Sequence, residues 1–153
     1  MAPIVRLFGP VDSVLGAEVG VGDVLVIEAL ILLLVLANFG TRAAAHSRHE
    51  RQAADGAGAV SRFLPHEASN LLLLLASLYY LTLEAHAGMV MSVLVLSMFL
   101  ADFFEFEARK VEARREIPLE RPKGALAAGV FVLMYTAYQV LFFLVEGYVS
   151  AIL

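Results

Sequence analysis

Glu28, Glu84, His86 and Glu146 are the residues whose types and placement could do chemistry. Each lies at the edge of an apolar stretch or inside one, and alternation of those stretches across a bilayer would bring all four near its outer face. Three carboxylates and an imidazole gathered by bundled helices could bind a divalent metal or relay protons. Two features argue against it. Glu84, His86 and Glu146 lie close enough to the interface to be hydrated, and the Glu84-x-His86 step lacks the three-residue spacing that puts a Glu and a His on one helix face. Glu28 is the only one of the four with several apolar residues on both sides, so it is the weightiest member. The metal is left unknown, the four residues standing as weak candidates for a polar external site.

Other chemistries are poorly represented. The chain has no cysteine, which removes disulfides, thiolate metal sites and a Cys nucleophile. His46, His49 and His66 map to one loop or its edges and His86 to the opposite side, so no opposed pair is available for haem. No phosphate-binding glycine loop, nucleophile motif or zinc-protease signature occurs, and no cofactor is expected. Eleven basic residues against fifteen acidic ones give no footprint for nucleic acid.

The elements that position these residues follow from composition. Of 153 residues, 60% are hydrophobic and 17% charged, and the mean hydropathy is +0.79. A small water-facing domain needs far more polar surface than this, so lipid is the expected solvent. A charge at the bilayer centre costs at least ~2.5 kcal/mol, and charge-poor windows therefore locate the spans. Val24 to Thr41 holds only Glu28; Ala68 to Leu83, Ala87 to Ala101 and Gly124 to Val145 hold none. One helix over Ser69 to Phe104 would be about 54 Å long, too long for a hydrocarbon core of about 30 Å. The reading is therefore an all-α integral membrane bundle of four transmembrane helices, with spans at about 23–41, 66–84, 87–105 and 124–149 and a helix-ending Gly88 between the middle two.

Charge supports that count. The loops 42–65 and 106–123 together hold ten Lys and Arg, whereas the opposite side holds only Arg6. Basic residues of short loops stay in the cytoplasm, which puts both termini outside. Residues 1–22 are expected to be an external segment lying partly along the interface through Leu7, Phe8, Val11, Val14 and Leu15, and not a cleaved signal. The first loop reads as a helix end followed by a flexible stretch around Gly56 and Gly58. The second begins as a helix leaving the membrane, with Glu105–Arg109, Glu107–Lys110 and Glu112–Arg115 at pairing distance and Pro118 as the stop. Asn38 and Gln139 are expected to hydrogen-bond between helices. The stripe Phe131, Tyr135, Tyr138 and Phe142 is expected to pack against other spans, with Ser97/Ala101 and Ala125/Gly129 as close-contact pairs.

The segments Leu7-Phe-Gly-Pro-Val-Asp12, Asp102-Phe-Phe-Glu-Phe-Glu-Ala-Arg-Lys-Val-Glu-Ala-Arg-Arg115, Arg121-Pro-Lys-Gly124 and Leu141-Phe-Phe-Leu-Val-Glu146 resemble a haloarchaeal family of small polytopic membrane proteins of unknown function. Nine Arg to two Lys suits such a source. The resemblance implies residence in the cell membrane and supplies no catalytic residues. With extramembrane segments this short, the expected function is non-enzymatic: an accessory or assembly subunit of a larger membrane complex, in contact with membrane lipid and with other subunits or copies of itself. The alternative is a small transporter or proton- or ion-conducting homo-oligomer using Glu28. A cofactor-binding membrane enzyme or electron carrier is third.

Overall fold

A computed structural model describes residues 7–153. Arg6 and the rest of the first six residues lie outside the described part. The architecture is all-helical, without a strand among the described residues. A short helix α1 (Pro10–Leu15) precedes α2 (Val26–Ala54), α3 (Leu64–Leu83), α4 (Ala85–Arg114), α5 (Lys123–Leu141) and α6 (Phe143–Ile152), with a 3-10 turn at Ala57–Ala59. Helices α2 to α5 form a four-membered ring in chain order, α5 closing back on α2. Short connections make each helix antiparallel to the next.

The sequence dictates this through one seam per helix. On α2 the buried positions are Ile27, Glu28, Ile31, Val35, Asn38, Arg42, Ala45 and His49. On α4 they are Gly88, Met91, Val95, Met98, Asp102, Phe106, Arg109 and Ala113. Steps of three and four keep each seam on one face, as in bundles packed knobs into holes. Ile31, Val35, Leu73, Met91, Val95, Met98 and Val132 form the apolar middle of the core. Outward from it stand Leu33, Leu36, Leu71, Leu72, Leu75, Val93, Leu96, Val130 and Met134, all more than 40% exposed. A surface this greasy suits lipid and not water.

Three helices, α2, α4 and α5, are long and apolar enough to cross a membrane. Helix α3 has the length, 20 residues, but not the apolarity. Its inward face carries His66, Ser69, Asn70, Ser77 and Tyr80 along with Leu73 and Leu83, while Leu71, Leu72, Leu75 and Leu78 face out.

Several boundaries differ from expectation. Helix α2 does not end near Thr41 but runs to Ala54, because Ala43–Ala45, Arg48, Glu50, Arg51 and Gln52 are good helix formers with no Gly or Pro among them. The stretch after α2 is tied down: Ser61 accepts from and donates to the Gln52 amide, at 3.1 and 3.2 Å. The break between α3 and α4 falls on Glu84, whose backbone is extended. Gly88 is not the helix stop but sits in the first turn of α4 against the backbone of Tyr80 and Leu81. Helix α4 ends at Arg114, with Glu116 at φ 57, before Pro118 is reached. The last apolar run is interrupted at Phe142, giving α5 and α6.

The charge pairs along α4 also rearrange. Lys110 meets Glu107 at 3.0 Å as expected. Glu105 instead accepts from the amides of Gly124 and Ala125, at 2.8 and 3.1 Å, serving as a borrowed cap for the first turn of α5. Glu112 accepts from the Glu120 amide. Phe131 and Tyr138 do not pack into the bundle but are 60% and 55% exposed. The buried face of α5 is Ala125, Gly129, Val132, Thr136 and Val140, since small residues allow the closer approach. Ser97 likewise faces out, whereas Gly129 lies against Phe39 and Met98.

Candidate functional site: a buried polar network

At the end of the bundle where α2 leaves its apolar run, a hydrogen-bonded ring joins three helices. Arg42 on α2 donates through Nη1 to Asp102 Oδ1 on α4 at 2.6 Å and through Nη2 to Asn38 Oδ1 at 2.7 Å. Asn38 Nδ2 donates to Asn70 Oδ1 on α3 at 2.7 Å and to Ser69 Oγ at 3.0 Å. Asn70 Nδ2 closes the ring on Asp102 Oδ2 at 2.6 Å. Arg42, Asn38, Asn70 and Asp102 are all buried. Each amide therefore both gives and receives, and the carboxylate is neutralised by a guanidinium in contact. Buried charge survives on those terms only.

His66 extends the ring. Its Nε2 faces Asp102 Oδ2 at 2.5 Å, so that nitrogen carries a proton. Its Nδ1 lies 2.9 Å from Thr41 Oγ1, which also reaches the Asn38 carbonyl at 3.0 Å. The threonine has one hydrogen for two acceptors, so the direction of this bond sets whether His66 Nδ1 accepts or donates.

Beyond the apolar run, seven residues farther along α2 and α4, lies a second buried pair. His49 Nε2 donates to the Ser61 carbonyl at 2.8 Å, which leaves Nδ1 as the acceptor for Arg109 Nη1 at 3.1 Å. Burial and then the Arg109 cation lower the His49 pKa to about 4. An imidazole held neutral when folded but free to protonate when unfolded takes up its proton on unfolding between about pH 6.5 and 4. Stability is therefore expected to fall as pH drops through that window, and His49→Gln to flatten the dependence. Detergent-phase thermal melts across pH 4 to 7 would show this; a parallel fall in the variant would assign it elsewhere.

The opposite end has its own polar pair. Glu28 Oε1 accepts from the Tyr80 hydroxyl at 2.5 Å, and Oε2 accepts from the Leu25 amide at 2.8 Å. The carboxylate thus satisfies an orphan amide at the start of α2 while joining α2 to α3. Asp12 of α1 similarly takes the Tyr79 hydroxyl at 2.6 Å and the Phe8 amide at 2.9 Å, pinning the N-terminal segment to α3. Gly22 packs beside Phe143, so the segment before α2 and helix α6 meet at this end.

The external-site candidates differ in burial. Glu28 is buried, whereas Glu84, His86 and Glu146 are exposed on the α3–α4 turn, the first turn of α4 and α6. Among the described residues no group of three or more His, Asp or Glu is arranged to hold a metal ion. Asn38 lies ten residues beyond Glu28, about 15 Å along the helix, a distance filled by the apolar middle of the core. Ser77 and Thr136 are buried alongside it, and both turn back to carbonyls of their own helices at 2.8 and 2.7 Å.

Sequence reasoning places Asn38 correctly as an interhelical hydrogen-bonder; Gln139 is half-buried beside a small cavity with Gly22, Tyr138 and Phe142. It misses Asp102 and Arg109, read as part of a solvated helix end, and places His49 and His66 in or beside a loop. One signal is present: the seam from Ile27 keeps its three-and-four rhythm through Asn38, Arg42 and His49, past the last apolar residue.

The family described as "Domain of unknown function (DUF7313)" matches residues 2–153. The chain belongs to this family. No curated protein and no solved structure matches the chain.

Proposed function

We propose that this chain is a four-span protein of the cell membrane with both termini outside, acting as a non-enzymatic accessory or assembly subunit of a larger membrane complex. The single observation that carries the reading is that the three buried acids among the described residues, Asp12, Glu28 and Asp102, all accept hydrogen bonds that tie one helix to another, and that an apolar layer separates Glu28 from Asp102. Groups so committed hold a scaffold together; they do not line a path. Helix α3 crosses with the others, its polar face turned inward to partners and Leu71, Leu72, Leu75 and Leu78 outward to lipid. The meeting of the N-terminal segment with α6 supports an even number of crossings, and the ten basic residues of segments 42–65 and 106–123, most of them on the helix ends that extend past the apolar runs, support an internal basic end. The outward aromatic face of α5, Phe131 and Tyr138, supports a contact with neighbouring membrane helices.

The transport alternative uses Glu28 as a proton or ion carrier. Proteoliposomes holding the pure protein are expected to show no proton or cation flux above empty vesicles, and gentle detergent extraction to retain a stoichiometric membrane partner. Flux that Glu28→Gln abolishes would replace the subunit reading with the transport one. A single cysteine at the exposed Ser47 is expected to resist external labelling, while those at Ser13 and Ser150 react.

A further inference from the structure

A cavity of about 330 Å3 opens between α2 and the start of α5, lined by residues including Phe39, Arg42, His46, Ser47, Arg121 and Leu126. Its depth is defined by sequence. Arg42 directly follows the apolar run of α2, and Arg121 stands three residues before that of α5. The cavity thus falls at the boundary between hydrocarbon and water on the basic end. Its walls divide accordingly, with Phe39 and Leu126 toward the hydrocarbon and His46, Ser47 and Arg121 toward the water.

Polar atoms are left without partners here, one of them a guanidinium donor. Arg42 is 2% exposed, and although both terminal nitrogens are used, its Nε has no hydrogen-bond partner among the described residues; neither has His46 Nδ1. The Arg121 side chain is exposed, and the nearby Glu105 and Glu112 each direct a carboxylate oxygen to backbone amides. The one acid on the rim, Glu50, meets His46 Nε2 at 2.8 Å.

From the cavity toward the membrane middle, α2 and α5 present exposed apolar and small residues. Leu36, Gly40, Ala43 and Ser47 share one face of α2, at steps of four, three and four, and a side chain added at Gly40 would meet nothing. Leu126, Val130 and Leu133 share one face of α5. Leu36 and Val130 are 51% and 46% exposed. A basic pocket between spans at the headgroup level, with an apolar surface above it, has the chemistry of a phospholipid site.

We propose that this cavity binds the phosphodiester headgroup of an anionic phospholipid, with Arg121 as the principal contact, the Arg42 and His46 edges as the floor and an acyl chain along the α2/α5 surface. The inference needs α2 and α5 to cross the membrane but not the subunit role, so the two fail separately.

Native mass spectrometry of the full chain in neutral detergent, titrated with phosphatidylglycerol, phosphatidylcholine or inorganic phosphate, tests it. One phosphatidylglycerol is expected to bind more tightly than phosphatidylcholine, and inorganic phosphate not to displace it. Arg121→Gln is expected to weaken phosphatidylglycerol about five-fold, the loss of one basic contact near a lipid surface, while Arg115→Gln, at an exposed residue away from the cavity, leaves it unchanged. Ser47→Asp reaches the same cavity from α2 and is expected to abolish the headgroup preference with the helical circular dichroism intact. Equal binding of both lipids, equal loss in Arg115→Gln, or displacement by phosphate would each overturn the proposal.

Discussion

Asp102→Ala is expected to lower stability by about 3–5 kcal/mol, the cost of leaving a buried guanidinium without its counter-charge. The carboxylate accepts from Arg42, His66 and Asn70 at once, so its removal strands donors on two helices. Arg42, at 2% exposure, would be left without its ion-pair partner. Replacing both charges, with Arg42→Met and Asp102→Leu, is expected to give a more stable protein than Asp102→Ala alone, because no uncompensated ion remains. Unfolding of the purified protein in mixed micelles by rising SDS, followed by circular dichroism, measures both. A loss under about 1 kcal/mol in the single variant would mean that the ring is not closed in the folded protein.

Gly88→Ala is the second large effect. A Cβ at this position would fall on the backbone of Leu81 and Tyr80, and backbone cannot rotate away as a side chain can. The hairpin of α3 and α4, joined through Glu84 alone, would have to open along its length. The expected cost is about 3 kcal/mol or more, at the upper end for overpacking. Gly129→Ala provides the contrast: its Cβ would lie 3.2 Å from Phe39 Cζ, the tip of a ring that can tilt, and the change is expected to stay within about 1 kcal/mol. Were Gly88 only a helix stop, the two variants would melt alike. The same micelle unfolding ranks them.

These two residues show where sequence reasoning ran short. Gly88 is visible as a break between two apolar runs, and splitting the middle stretch into α3 and α4 follows from length and charge together. Its role as a contact point is not visible, because that depends on which backbone lies opposite. Likewise Asn38, Asn70, Arg42 and Asp102 each look like an ordinary polar residue within or beside an apolar run. Arg42 and Asp102 are 60 residues apart, and nothing local to either one identifies the other.

The solvent and the helical elements are legible without a fold. Too little charge for a water-facing surface, helix-length apolar runs and basic residues collected in two loops act additively along the chain, so they can be summed residue by residue. Which polar groups meet is settled in three dimensions. A hydrogen bond demands agreement within a few tenths of an ångström in rotation and axial level between helices far apart in sequence. That agreement turns Asp102 from the end of an apolar run into the centre of a closed ring, and leaves Glu84, His86 and Glu146 exposed.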